Sequence, residues 1–250
     1  MARRATLINA TRQENENVLL LDAGDSLYGS PALTVESKGK IIVDAWGLLG
    51  YDAMLIGDLD LQYGSEVLSQ RIAEATFPML SANLLRASDN QLLAQPYIIK
   101  EVGGRKVGII GITWDGVNLE DPVIKGQYVL LKADMVLPQY VTEVSQKADI
   151  VVVLSNMGLD EDQRLSSSVP GIDLILGGRS RNPMERSWRN ETTGTIVAQA
   201  GAMGEWIGRR KLTIDAAGVV IGNQDELIYL TEDYADDQEA RAFLDNYRVQ

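Results

Sequence analysis

Two short segments of the sequence carry pairs of aspartates directly after apolar runs. Asp22 and Asp25 lie in DAGDSLYG (22–29), which follows NVLLL, and Asp58 and Asp60 lie in IGDLDLQYG (56–64), which follows DAML. Carboxylates that meet in a cleft can bind a divalent cation, assist proton transfer or pair with a basic side chain. Each aspartate can equally cap a loop or helix, so the pairs alone do not define a site.

Amide and guanidinium groups follow two further apolar runs. Asn156 lies in LSNMGLDED (154–162), and Arg179 and Arg181 stand one residue apart in LGGRSRNP (176–183). Guanidinium groups are cationic at every accessible pH and offer no free lone pair, so they cannot ligate a metal ion. The two arginines therefore predict a site that holds an anion or a carboxylate.

The composition excludes several kinds of chemistry. The 250 residues contain no cysteine and no histidine, which excludes disulfides, thiol nucleophiles, and the commonest general base and transition-metal ligand. The net charge of −12 argues against binding to nucleic acid or to anionic membranes. No apolar run is long enough to span a bilayer. The N-terminal sequence MARRATLINATRQENE shows no signal peptide, which as written predicts a cytoplasmic location.

Strand-like and helix-like segments alternate along the chain. Buried strands are predicted for NVLLLDAGD, DAMLIGD, FPMLSAN, DIVVVLSN and GIDLILGG, with helices between them and a hairpin at Gly103-Gly104. The segment 208–230 is predicted to be an antiparallel strand pair. This order favours an α/β fold with mixed sheets between helices. Since ligand sites lie beyond the carboxyl ends of parallel strands, the four polar turns are expected to meet.

The framework and the motifs together resemble the calcineurin-like metallophosphatase domain of the bacterial 5′-nucleotidase and UDP-sugar hydrolase group. The resemblance rests on segments that occur in the family's order, namely ARRATLI, NVLLLDAGD, GYDAMLIGD, FPMLSAN, PYIIKEVGGRKVGIIGIT, ADIVVVLSN, VPGIDLILGG and IVAQAG. It implies a four-layer α/β/β/α sandwich of two mixed sheets, here expected to lack the first strand. Residues 1–235 would form this domain and residues 236–250 a C-terminal helix, the start of the family's interdomain linker, with no C-terminal nucleotide-binding domain.

The resemblance also implies a pair of divalent metals that hydrolyse phosphoesters, but the motifs that would hold them are altered in this chain. Asp25 matches the metal-bridging aspartate of the family's Gly-Asp turn. In the next motif Asp58 replaces the ligand asparagine, Leu59 replaces the catalytic histidine, and Gln62 replaces the acid that orients that histidine. The Asp-x-His turn expected near the start is not found.

The last two motifs are altered as well. Asn156 replaces a lone ligand histidine, and Arg179 and Arg181 replace both histidines of a Gly-His-x-His turn. We expect the arginines to serve as counter-ions for Asp25 and Asp58 in place of the metals, the alternative being that they extend into solvent. Leu59 cannot transfer a proton.

These substitutions predict a pseudo-phosphatase that acts as a binding or scaffold protein. The predicted vestigial site consists of Asp25, Asp58, Asp60, Asn156, Arg179 and Arg181. No catalytic residue, metal or other cofactor is expected, and the partner would be a protein or a small anion at the Arg179/Arg181 turn. The alternative is a weak 5′-nucleotide phosphoesterase that binds Mg²⁺, Mn²⁺ or Ca²⁺ weakly through Asp25, Asp58 and Asn156. The resemblance also implies export, as in relatives.

Overall fold

A computed structural model describes residues 1–29 and 31–249 of the chain. Its helices are α1 (Ala2–Glu14), α2 (Ala32–Glu36), α3 (Lys40–Leu49), α4 (Ser65–Glu74), α5 (Ala133–Ser145), α6 (Leu159–Ser168) and α7 (Gln238–Val249), with a 3₁₀ helix over Leu59–Tyr63. Its strands are β1 (Leu21–Asp22), β2 (Ala53–Leu55), β3 (Met79–Leu80), β4 (Leu84–Arg86), β5 (Tyr97–Val102), β6 (Arg105–Ile112), β7 (Tyr128–Leu130), β8 (Ile150–Ser155), β9 (Leu174–Gly177), β10 (Trp188–Arg189), β11 (Ile196–Gln199), β12 (Trp206–Ile214) and β13 (Val220–Tyr229).

Two sheets form the centre of the fold. The first has the order β1-β2-β3 and is parallel. The second has the order β10-β11-β9-β8-β6-β5, with four parallel inner strands and an antiparallel strand at each edge. Strands β4 and β7, and strands β12 and β13, form two further antiparallel pairs. Apolar runs such as Ile150–Ser155 are buried along their whole length, as inner strands of a covered sheet require.

Three apolar layers confirm the predicted α/β/β/α sandwich. One layer packs α1, α3, α4 and α7 against the first sheet, and a second lies between the two sheets, where Leu55 and Leu80 meet Ile109 and Val152. The third layer packs α5 and α6 against the other face of the second sheet. The inner strands contribute alternate residues to the two faces of their sheet, so both faces of the second sheet are buried.

The hairpin signals are confirmed. Gly103 and Gly104 both have positive φ, at 58° and 72°, and join the antiparallel strands β5 and β6. Such a two-residue turn requires positive φ, which glycine adopts without a steric penalty. The 208–230 segment also forms the predicted antiparallel pair, with a register shift between Thr213 and Ile214.

The C-terminal helix α7 packs into the first helical layer. Ala240 is buried, and Phe243 packs against the same apolar cluster as α1 and α3. Gln250, in the predicted segment 236–250, and Ser30, in the predicted domain 1–235, lie outside the described residues. In the part of the chain that the structure describes, no helix is both long and apolar enough to cross a membrane.

Candidate functional site

The four polar turns meet, as expected, where the two sheets end side by side. The turns after β1 and β2 belong to the first sheet, and those after β8 and β9 belong to the second. Hydrogen bonds and one ion pair connect them: Asp25 and Asp58 of the first sheet's turns contact Asn156, and Arg179 contacts Asp58. The site is thus assembled from segments up to 154 positions apart, counting from Asp25 to Arg179.

Asp25 lies in a strained turn, and hydrogen bonds from the protein itself reach both of its carboxylate oxygens. Its φ is 62°, after Gly24 with a φ of 88°. The Leu59 N–H donates to Oδ1 at 2.9 Å, and Asn156 Nδ2 donates to Oδ2 at 3.0 Å. A Cβ on Gly57 would lie 2.2 Å from Oδ1, so glycine is needed there to admit the carboxylate. Asp25 is therefore already held by neutral donors.

Asn156 connects two turns of the site through both ends of its amide. Its side chain is fully buried, and Oδ1 accepts a hydrogen bond from the Asp58 N–H at 2.9 Å. Because the oxygen is fixed by an N–H donor, the Nδ2 group must face Asp25. A neutral amide that donates to a carboxylate in this way fills a position that the resemblance assigns to a metal ligand.

Asp60 holds the turns together and does not face the cleft. Its side chain is buried, with a relative exposure of 1%, and it accepts backbone N–H groups from Leu27 at 2.8 Å, Asp25 at 3.0 Å and Gly57 at 2.8 Å. Burial, followed by the nearby charge of Asp25, raises the pKa of Asp60 well above its ordinary value. These contacts assign Asp60 to the framework of the site, whereas the sequence grouped it with the vestigial ligands.

Arg179 supplies the predicted counter-ion of Asp58. Its Nε lies 3.4 Å from Asp58 Oδ1, and its Cζ lies 3.4 Å from the centroid of the Trp114 ring. Neither Nε nor Oδ1 has a well-aligned hydrogen-bond partner among the described residues, so the contact is an ion pair of imperfect geometry. Burial and the charge of Asp25 raise the pKa of Asp58, and Arg179 opposes that shift.

Arg181 does not pair with either aspartate. It has a φ of 59°, its side chain is exposed, and it forms no ion pair within residues 1–29 and 31–249. Between the two arginines, Ser180 turns inward and its Oγ donates to Gln199 Oε1 at 2.6 Å. The expectation that both arginines act as counter-ions thus holds for Arg179 and is wrong for Arg181.

The sequence did not reveal a second buried carboxyl group behind the arginine turn. Asp162 is fully buried, and its oxygens accept hydrogen bonds from Ser155 Oγ and, at 3.2 Å, from Gln199 Nε2. Burial raises the pKa of Asp162 to about 7. Gln199 also accepts from Ser180, so this carboxyl group is connected to the turn that carries Arg179.

The remaining residues with predicted roles lie in the surrounding framework. Asp22 is not free to act, because Gly24 N, Ser26 Oγ and Trp46 Nε1 all donate to its carboxylate. Leu59 and Gln62 lie in the 3₁₀ helix, and neither carries a titratable group. The two positions that the resemblance assigns to the catalytic histidine and its orienting acid therefore hold side chains that cannot transfer a proton.

The side chains present do not fit a pair of divalent metals. No group of three acidic, histidine or cysteine side chains is arranged to hold an ion in the part of the chain that the structure describes. The two Asp25 oxygens accept hydrogen bonds from other residues, and Arg179 places a permanent positive charge beside Asp58. A cation would have to share the Asp25 oxygens with these donors and approach a guanidinium group.

The Arg179 ion pair is expected to stabilise the fold modestly. Both side chains are partly buried, so Arg179→Met should lower the free energy of unfolding by about 1 to 2 kcal/mol through the lost pair and the lost contact with Trp114. Arg181→Met removes an exposed charge of the same type and should change it by less than about 0.5 kcal/mol. Urea unfolding of both variants tests the difference, and equal losses would contradict the assigned pairing.

The comparisons with known proteins agree with the fold. No protein-family model matches the chain. A snake venom 5′-nucleotidase from Gloydius brevicauda is 30% identical over 275 residues, covering 100% of this chain and 46% of that protein. The 5′-nucleotidase precursor from Thermus thermophilus has a TM-score of 0.87 at 26% identity and covers 99% of this chain and 52% of that one. Calcineurin-like phosphoesterase YfkN from Bacillus subtilis has a TM-score of 0.83 at 21% identity, covering 100% and 88%.

The chain spans about half the length of the 5′-nucleotidases that it matches. The chain is homologous to 5′-nucleotidases over its whole length, and it shares the fold of the calcineurin-like phosphoesterases.

Proposed function

We propose that this domain is a catalytically inactive member of its family, a pseudo-phosphatase that acts as a binding or scaffold domain. The single observation that carries the proposal is the state of Asp25 and Asp58. Neutral donors from Leu59 and Asn156 hold the first carboxylate, and the guanidinium of Arg179 pairs with the second. The protein's own groups thus satisfy the charges that metal ions would otherwise balance.

The lack of a histidine at the position of the family's catalytic histidine supports the same proposal. Hydrolysis of a phosphoester needs an activated water molecule and a group that protonates the leaving oxygen. Leu59 carries no exchangeable proton on its side chain, and the chain has no histidine to replace it. Asp162, whose pKa lies near neutrality behind the arginine turn, is fully buried and hydrogen-bonded to Ser155 and Gln199.

The binding role would use the arginine turn. Arg181 is exposed and Arg179 is about one-third exposed, so both can contact an anion or an acidic protein surface. The chain as a whole is strongly acidic, with a net charge of −12. Electrostatic attraction to an anionic partner would therefore be confined to this turn, because the net negative charge of the chain repels such a partner elsewhere.

One observation favours the second candidate, a weak metal-dependent phosphoesterase. Asp58 Oδ1 is buried and lacks a hydrogen-bond partner among the described residues, so one of its lone pairs is available to a hard cation. In this case Asp25, Asp58 and Asn156 would hold Mg²⁺, Mn²⁺ or Ca²⁺, and the ion would polarise the phosphoryl group.

Assays of hydrolysis separate the two candidates. Purified protein is assayed against bis(p-nitrophenyl) phosphate and a 5′-nucleotide with Mn²⁺, Mg²⁺ or Ca²⁺, beside an Asp25→Ala variant. We expect both proteins to show the same background rate, because no metal-activated water is formed. Turnover that requires a divalent ion and is abolished in Asp25→Ala would contradict the proposal and establish the second candidate.

A further inference from the structure

The guanidinium group of Arg179 is held from two sides. Its Cζ lies 3.4 Å from the centroid of the Trp114 ring, so the two planar groups stack, and its Nε lies 3.4 Å from Asp58 Oδ1. The backbone beside it is fixed as well, because Ser180 Oγ donates a hydrogen bond to Gln199 Oε1 at 2.6 Å. The plane and the position of the guanidinium group are therefore set by the protein itself.

The two terminal nitrogens of Arg179 form a free edge of this group. Within residues 1–29 and 31–249, no atom accepts a hydrogen bond from Nη1 or Nη2, whereas Nε is buried against Asp58. A Cβ added to Gly158 would lie 4.0 Å from Nη1 and 4.0 Å from Ser180 Cβ, with nothing closer, so open space adjoins this edge. The free edge thus presents two parallel N–H groups, which can donate to both oxygens of one carboxylate.

Other hydrogen-bond donors around the site are already used within the protein. Asn156 Nδ2 donates to Asp25 Oδ2 at 3.0 Å. Ser180 Oγ donates to Gln199. A phosphate group has three acceptor oxygens that point in different directions, whereas a carboxylate presents both oxygens along one edge. Because Arg179 offers donors along a single edge, the site matches a carboxylate better than a phosphate.

The charges around the site favour a ligand with one negative charge. Asp25 and Asp58 contribute two negative charges. Arg179 and Arg181 contribute two positive ones, in a chain whose net charge is −12. The attraction of an anion grows in proportion to its charge, but the cost of removing it from water grows with the square of that charge. With the local charges balanced, desolvation disfavours a dianion more than a monoanion.

We propose that the free edge of Arg179 binds a single carboxylate group in preference to phosphate. This inference rests on the proposed function as a binding domain and names the chemistry of the ligand, which is an acidic side chain of a partner protein or a small carboxylic acid. One carboxylate oxygen accepts from Nη1 and the other from Nη2. Arg181, which is exposed two positions further on, adds a second positive charge at the rim.

Nuclear magnetic resonance titrations of the labelled protein test the proposal. The probes are acetate, the blocked peptide acetyl-Gly-Glu-Gly-amide, its neutral glutamine counterpart, and inorganic phosphate at a pH of about 8, where phosphate carries close to two negative charges. All solutions contain EDTA and have the same ionic strength. The indole N–H signal of Trp114, assigned with Trp114→Phe, reports binding, because the ring stacks on the guanidinium group.

We expect saturable shifts with acetate and with the glutamate peptide, none with the glutamine peptide, and at least about threefold weaker binding of phosphate. Tighter binding of the glutamate peptide than of acetate would identify an acidic side chain as the source of the carboxylate. Tighter binding of acetate would identify a small acid. Either order supports the proposal.

Two variants test the role of the planar edge. Arg179→Lys keeps the positive charge but loses the two parallel N–H groups, so it should bind acetate at least about fivefold more weakly. Arg186 is another exposed arginine of the same loop and forms no ion pair with the described part of the chain, so Arg186→Met should bind acetate like the parent protein. Circular dichroism verifies the folding of both variants, and the titrations of the parent protein test the proposal without them.

Three results would overturn the proposal: phosphate binding as tight as that of acetate, equal weakening by the two substitutions, or no binding of either carboxylate up to about 0.1 M. None of them would affect the proposed lack of catalysis, because the titrations contain no free divalent ion and no phosphoester. Conversely, metal-dependent hydrolysis in the assay described above would contradict the inactive domain without changing the order of anion affinities measured in EDTA.

Discussion

Asp60→Ala is expected to cause the largest loss of stability of any single substitution in the site. The carboxylate accepts three backbone N–H groups, from Leu27, Asp25 and Gly57, which belong to two separate turns. Alanine would leave all three donors without their partner in a buried place, at about 1 kcal/mol or more each. We expect a decrease of about 3 kcal/mol or more in the free energy of unfolding, a large fraction of the total for one domain.

Asp60→Asn provides the matched comparison. It keeps one acceptor oxygen and nearly the same shape, so its loss of stability should be smaller than that of alanine. Urea unfolding followed by circular dichroism measures both variants, and the folded fraction in buffer gives a second measure if the alanine variant is too unstable for a full curve. A loss of less than about 1 kcal/mol for Asp60→Ala would show that these contacts do not hold the turns together.

Asp162→Asn is expected to change how stability depends on pH. Burial raises the pKa of Asp162 from 3.8 in the unfolded chain to about 7 in the folded protein, so folding takes up a proton between these values. The stabilisation from this carboxyl group is complete below pH 3.8 and is lost as the pH rises through 7. The whole difference is on the order of 4 kcal/mol.

The measurement is the difference in unfolding free energy between the parent protein and Asp162→Asn from pH 4.5 to 8. The parent protein should lose stability relative to the variant by about 3 kcal/mol up to pH 7, and the difference should then level off. Asp160→Asn, an exposed acid of the same helical turn, is the control and should show no comparable slope. A difference that stays constant with pH would mean that Asp162 is not protonated in the folded protein near neutrality.

The hydrogen bonds of Asp162 also help to fix the position of the turn that carries Arg179 and Arg181. Gln199 donates to Asp162 and accepts from Ser180, which stands between Arg179 and Arg181. The Leu159 N–H donates to Ser180 Oγ at 3.1 Å, so the start of α6 is fixed to the same turn. The turn that presents the arginines is thus held by neutral groups behind it, and Arg179 does not depend on Asp58 alone for its position.

Much of this arrangement could be predicted from the sequence, because it depends on local signals. Apolar runs that end in small or polar residues located β2, β8 and β9, and the Gly103-Gly104 pair located a hairpin. The resemblance placed Asp25, Asp58, Asn156 and Arg179 together, and the structure joins these four by hydrogen bonds and an ion pair. Their proposed role as a metal-free site stays a prediction until metal binding is measured.

Other features depend on tertiary geometry that no local pattern encodes. The segment LDED at 159–162 reads as the acidic first turn of a helix, which is typical of exposed positions, yet Asp162 is fully buried while Asp160 is exposed. The two carboxylate oxygens of Asp60 accept backbone N–H groups from Asp25 and Leu27, which lie 35 and 33 positions earlier in the chain, and from the nearby Gly57. Arg179 and Arg181 both have a positive φ, which arginine rarely adopts, yet of the two it is Arg179 that turns toward Asp58. In the sequence, the buried hydrogen bonds of Asp162 are indicated by two polar residues at the ends of apolar strands, Ser155 and Gln199.

The proposed function depends on the metal content of the site, which native mass spectrometry measures directly. The protein is incubated with an excess of Mn²⁺ or Zn²⁺ and exchanged into volatile buffer. Its mass is then measured together with those of the Asp25→Ala and Arg179→Met variants. The account predicts the mass of the metal-free chain for the parent protein and for Asp25→Ala, because internal donors hold Asp25 and the positive charge of Arg179 lies beside Asp58. Two bound ions in the parent protein that are absent from Asp25→Ala would contradict it.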